Sequence, residues 1–205
     1  KKEKEKKVSQ VKKQDYSYRF PYESEGGRLN EIRRNNNDFI EALNHKVNFK
    51  VANSPCLIIK GEAGNGKSHL LGDIAKSRIN NNLPTLLLLG QNFLSTKSIW
   101  ENILTELNLV CSKEELLIEL NSLGKQIGSR ILILIDAINE GPGKSLWHDR
   151  LSSFINDFSA YPYIGLAISI RTTYIEYVIP ENVLKRSEVS IINHEGFKGN
   201  EYAAL

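Results

Sequence analysis

Five short apolar runs punctuate the chain, at residues 57–60, 85–89, 131–135, 164–170 and 189–192. None of the longer ones alternates with polar residues, and Ile131-Leu132-Ile133-Leu134-Ile135 is apolar throughout. Runs of this kind suit parallel strands covered on both faces. Between them the period changes to that of a helix. Ile32, Phe39, Ile40, Leu43 and Val47 mark one helix over residues 30–47, and Leu71, Ile74, Ala75 and Ile79 give one face of another over 67–79. Asn80-Asn81-Asn82 stops that helix, and Pro84 leads into the next strand. Ile99, Trp100, Ile103, Leu104 and Leu107 predict a further helix, with Trp100 in the core. Ser112 and Glu115 stand in capping-box register ahead of Leu116, Leu117, Leu120, Leu123 and Ile127. Trp147, Leu151, Phe154, Ile155 and Phe158 mark a helix over 146–158, and Gly199-Asn200-Glu201 reads as the start of one more. Strand–helix alternation predicts an α/β fold with a doubly wound, mostly parallel five-stranded sheet and a ligand site at the strand C-termini.

The junction after the first run carries the chemistry. Gly61-Glu62-Ala63-Gly64-Asn65-Gly66-Lys67-Ser68 has the spacing G-x-x-x-x-G-K-S between a predicted strand and a predicted helix, which is a P-loop in its required setting. The glycines let successive N–H groups face inward as an anion cradle at a helix N-terminus. Lys67 suits the β- and γ-phosphates of a nucleotide and the Ser68 hydroxyl suits Mg²⁺. Asp136 ends the 131–135 strand, where a carboxylate can fix the same ion. Glu140, brought back by Gly141-Pro142-Gly143, is the candidate to orient or deprotonate an attacking water, with Asn139 as its neutral neighbour. Arg171 leaves the 164–170 strand where a guanidinium can read a γ-phosphate, next to Thr172 and Thr173. His69 is expected to pack at the helix start beside the cradle, and the four histidines share no metal-site spacing.

Composition narrows the picture without redirecting it. With 40% hydrophobic and 25% charged residues among 205, the chain is globular and long enough for one sizeable core. The net charge of +3 is concentrated in residues 1–13, where seven lysines face two glutamates. The rest is slightly acidic, so no direct nucleic-acid binding is expected from the core. Residues 1–29 read as a basic leader with an aromatic lead-in (Tyr16, Tyr18, Phe20, Tyr22), and residues 30–205 as the nucleotide-binding core. Cys56 and Cys111 have no metal or redox spacing, and no apolar run approaches a membrane span, so a reducing, cytoplasmic location is expected. The absence of methionine leads us to expect a piece of a longer protein or a processed product.

Three segments together resemble the STAND class of P-loop ATPases, most closely the bacterial antiviral (AVAST) anti-phage proteins. They are the P-loop continuing into His69-Leu70-Leu71, the strand ending Asp136-Ala137-Ile138-Asn139-Glu140-Gly141, and Ser169-Ile170-Arg171-Thr172-Thr173-Tyr174. The resemblance covers about residues 30–205. It implies an AAA+-like core with strands in the order 189–192, 57–60, 164–170, 131–135, 85–89. It also implies an ATP- and Mg²⁺-dependent switch that forms a homo-oligomer. A phage protein would trigger it through a C-terminal sensor and so activate an N-terminal effector; neither part lies in these residues. Family members usually carry an acidic residue where this chain has Asn139, which leaves Glu140 as the carboxylate near Asp136. The competing readings are an AAA+ replication initiator or helicase loader acting on nucleic acid, a kinase or metabolic P-loop enzyme, and a non-hydrolysing nucleotide scaffold. Loader-type proteins place the two acids of this strand side by side, whereas here they are four residues apart.

Overall fold

A computed structural model describes residues 27–30, 32–34, 36–37 and 53–196. Contacts divide the chain into two units, Lys1–Phe49 and Lys50–Leu205. In the first unit the described residues are helical, in keeping with the helix expected to begin near residue 30. The basic leader, the aromatic lead-in, the remainder of that helix and the helix start at Gly199 lie outside the described residues.

The second unit is built on five strands: β1 (Cys56–Gly61), β2 (Thr85–Leu89), β3 (Ile131–Asp136), β4 (Ile164–Arg171) and β5 (Val189–Asn193). They form one sheet in the order β2-β3-β4-β1-β5, the expected order, and every pairing is parallel. Leu57 pairs with Ala167, Ile133 with Leu166, and Leu89 with Asp136, so the C-terminal ends of β1, β3 and β4 lie side by side.

Alternation along the strands divides the apolar residues between two layers. Ile58, Ile133, Ile135, Leu166 and Ile168 join a large cluster with the helices α2 (Ile99–Glu106), α3 (Lys113–Ile127) and α4 (Lys144–Asp157). Ile59, Leu134 and Ala167 join a smaller one with Leu71 and Ala75 of α1 (Lys67–Asn80). Trp100 belongs to the core as expected, against Phe154 and Phe158, and its indole N–H donates to Asp157 at 2.7 Å.

Local signals act where their chemistry requires. Asn81 caps α1, and Asn82 takes the left-handed conformation at φ 56°, which asparagine tolerates well. Ser112 and Glu115 form the predicted capping box on α3, and Ser98 and Glu101 form another on α2. Two helix faces are narrower than the spacing predicts. Ile79 of α1, and Leu123 and Ile127 of α3, are exposed: α1 buries Leu71 and Ala75, and α3 buries Leu116, Leu117 and, in its last turn, Gly124 against Tyr163. After β4 the chain makes a 3₁₀ turn (Thr172–Tyr174) and two one-turn helices, α5 (Ile175–Val178) and α6 (Glu181–Leu184), before entering β5. Among the described residues no helix is long and apolar enough to cross a membrane.

Candidate nucleotide site

The loop between β1 and α1 opens a helix without a side-chain cap. Gly66 occupies the N-cap position at φ 85° and Gly64 lies at φ 80°, conformations that side-chain-bearing residues rarely adopt. The first turn of α1 carries no acidic residue. The N–H groups at its N-terminus and its positive dipole end therefore make a seat for an anion. The loop is braced from β5: the His194 N–H donates to the Lys60 carbonyl at 2.7 Å, and Asn65 Nδ2 donates to the His194 carbonyl at 3.4 Å. A side chain at Gly61 would meet that carbonyl oxygen at 2.4 Å, which explains a glycine at the end of a buried strand.

Lys67 is buried, and its ammonium donates to the carbonyls of Gly61 at 2.8 Å and Glu62 at 2.7 Å. Burial holds its pKa below the ordinary lysine value, and the nearby Arg171 charge pushes in the same direction. A bound anion would oppose both effects.

The opposite wall comes from β3 and β4. Asp136 is buried at the end of β3, and one of its carboxylate oxygens accepts a hydrogen bond from the Ser169 hydroxyl. Asn139, only 2% exposed, accepts the backbone N–H of Arg171 at 3.0 Å and so ties the loop after β3 to the end of β4. Glu140 and Arg171, expected as two separate actors, form an ion pair at 2.5 Å. Gly141 (φ 75°) lets this loop press on the turn after β2, where an added Cβ would lie 2.5 Å from the Gln91 carbonyl oxygen.

A cleft of about 320 Å³ joins these groups. Ala63, Gly64, Gly66, Lys67, Ser68 and His69 line one side; Asp136, Asn139, Glu140 and Arg171 line the other with Ala137 and Ser169. Of the residues predicted for the site, Gly61, Glu62 and Asn65 shape the loop without lining the cleft. His69 does not pack at the helix start but stands exposed at the mouth, its Nε2 3.4 Å from Asp73.

Ser169 lines the cleft without having been singled out from sequence. It had a signal, being the one hydroxyl in the buried apolar run of β4. A polar group there must find a partner.

A hydroxyl from Ser68 and a carboxylate from Asp136 facing an anion seat are hard oxygen donors that fit Mg²⁺. This ion is ordinarily held by one or two protein oxygens, with phosphate and water completing the shell. Among the described residues no group of three His, Cys, Asp or Glu side chains could hold a metal without such help.

No family model matches the chain, and no curated protein matches it. Solved structures that resemble it include PCH-2 of C. elegans, at 15% identity over 82% of this chain with a TM-score of 0.40. Cdc6p from Pyrobaculum aerophilum matches at 18% over 68% with 0.46, and the HORMA:CdnC:Trip13 complex of E. coli MS115-1 at 11% over 85% with 0.39. The chain spans 43%, 38% and 62% of the lengths of these three. The fold is a five-stranded, doubly wound parallel sheet, in the strand order that the sequence resemblance implies.

Proposed function

We propose that this chain is the ATP-binding core of a nucleotide-driven switch, which hydrolyses ATP in its assembled full-length form. The observation that carries the reading is the convergence of Lys67, Ser68, Asp136, Glu140 and Arg171 on one cleft at the ends of three adjacent parallel strands. The β1–α1 loop cradles the phosphates and Lys67 exchanges its two carbonyl partners for phosphate oxygens. Mg²⁺, held by Ser68 and Asp136, would neutralise charge on those oxygens.

Arg171 is the residue that distinguishes ATP from ADP, and its partner gives that distinction a consequence. A γ-phosphate within reach of the guanidinium competes with Glu140 for it. Filling the terminal phosphate position thereby frees the carboxylate that is to orient water. Occupancy and catalytic readiness are coupled through one ion pair. The sequence resemblance extends this to a defence switch that oligomerises on command from a phage protein sensed elsewhere in the polypeptide.

The first test is calorimetry with ATP and Mg²⁺ on parent and Lys67→Ala proteins. Losing hydrogen bonds made by a charged group, each about 1.5–3 kcal/mol, predicts an affinity loss of about tenfold or more. The thermal transition should persist, since the ammonium's partners are two carbonyls of the β1–α1 loop rather than groups of the apolar core. Unchanged affinity in the variant would remove the P-loop from the site.

A further inference from the structure

Ser169 interrupts a strand that is otherwise apolar up to its last residue, Arg171. Its neighbours Ile168 and Ile170 are fully buried and it is itself 1% exposed, so an unpartnered hydroxyl there would carry a penalty. Both hydrogen bonds of the hydroxyl go to the end of β3 and the residue after it. Its Oγ accepts the Ala137 N–H at 2.8 Å and donates its one proton to Oδ1 of Asp136. With a lone pair engaged on one side, the proton is directed to the carboxylate. The Ser169 carbonyl accepts the Ile138 N–H at 3.1 Å as well. One residue of β4 thus holds three successive residues where β3 ends. The middle one, Ala137, lies at φ 53°, a left-handed conformation that costs an alanine about 1–2 kcal/mol and needs support. Oδ2 of Asp136 accepts no hydrogen bond among the described residues, and Asp136 lines the cleft opposite Ser68.

We infer that Ser169 is the positioning residue for the metal-facing carboxylate: its hydroxyl pins Oδ1 of Asp136 so that Oδ2 is presented to a divalent cation shared with Ser68 and the nucleotide phosphates. This rests on the nucleotide-site reading above. Partners that orient a metal ligand without touching the metal are typically worth 10- to 100-fold in metal affinity. A serine that merely satisfied itself in the core would affect stability and leave the metal-dependent part of binding untouched.

The experiment is ATP affinity of the full-length protein, measured in Mg²⁺ and again in EDTA, for parent, Ser169→Ala, Asp136→Asn and the double variant. Ser169→Ala should lose about tenfold or more of the Mg²⁺-dependent gain while keeping the parent affinity in EDTA. The double variant should lose no more than Asp136→Asn alone, because Ser169 acts through Asp136. Ser169→Thr and Ser169→Val, alike in shape and differing in the hydroxyl, repeat the comparison if alanine disturbs folding; threonine should keep the gain and valine lose it. A full Mg²⁺-dependent gain in both Ser169→Ala and Ser169→Val overturns the inference. So do equal losses with and without Mg²⁺, or additive losses in the double variant. A parent protein with no Mg²⁺-dependent gain overturns the nucleotide-site reading itself, and this inference with it.

Discussion

Glu140 and Arg171 meet at 2.5 Å with 36% and 43% of their side chains exposed. A pair so open to water contributes on the order of 0–1 kcal/mol, so it is easily displaced. That weakness suits the proposed displacement of Glu140 by a phosphate, which carries more charge than a carboxylate. It also separates the two residues by role. Glu140→Gln should leave ATP affinity near that of the parent and slow turnover by about 10²-fold or more, the scale for losing a general base. The measurement is steady-state hydrolysis beside calorimetry on the full-length, triggered protein. Hydrolysis at the parent rate would show that the base lies elsewhere. At this scale the residues were legible but their partnerships were not. Glu140 and Arg171 stand out in the sequence by their place past or at a strand end, yet their pairing depends on β3 and β4 being neighbours in space. The Asn139 contact to the Arg171 backbone and the grip of Ser169 on Asp136 are hidden for the same reason. Local sequence carries residue type, and only the sheet brings residues 32 and 33 positions apart into contact.

At the scale of elements, burial and turn chemistry left clear marks. The strand of five branched residues became the centre of β3, and the Ser112–Glu115 box set the start of α3 where a capping side chain must sit. Periodicity was less informative about where a helix face stops being covered. Ile79, Leu123 and Ile127 continue the apolar spacing of their helices yet are exposed, while the last turn of α3 packs through Gly124, which apolar spacing does not mark. The one-turn helices α5 and α6 are too short to show a period. Strand β1 offers a direct check. Burial at its start pushes the Cys56 thiol from an ordinary 9.0 up to about 12, while Cys111 is only partly covered. At pH 8, iodoacetamide should therefore alkylate Cys111 in the native protein and reach Cys56 only on unfolding, as read by intact mass. The unfolded chain releases the Cys56 proton first, so this thiol subtracts stability as pH rises from about 9 towards about 12. Equal labelling of both cysteines in the native state would contradict the placement of β1 inside the sheet.

For the whole molecule, the parallel sheet turns three chain segments into one site, and the proposed function would have nucleotide identity felt beyond it. A ligand shifts a conformational equilibrium only by its differential affinity for the two states. ADP would keep the cradle and part of the contacts proposed for Lys67 and the metal ligands, which meet the β-phosphate as well as the γ-phosphate. Arg171 is different, because its proposed partner exists only in ATP, and its backbone is tied through Asn139 to the loop that carries Glu140. Arg171→Ala should therefore weaken ATP binding by about tenfold or more, as expected for charged hydrogen bonds, and leave ADP within about twofold of the parent. If full-length protein assembles on ATP, the variant should assemble less at the same nucleotide saturation. Moving a population from mostly inactive to mostly active requires a free-energy difference of several kcal/mol, which a lost γ-phosphate contact depletes. The check is a pair of affinities, ATP and ADP, for parent and variant, with assembly followed by light scattering. Equal losses for both nucleotides would reduce Arg171 to a structural partner of Glu140. Parent-like assembly at matched saturation would place the switch outside the β4 strand end.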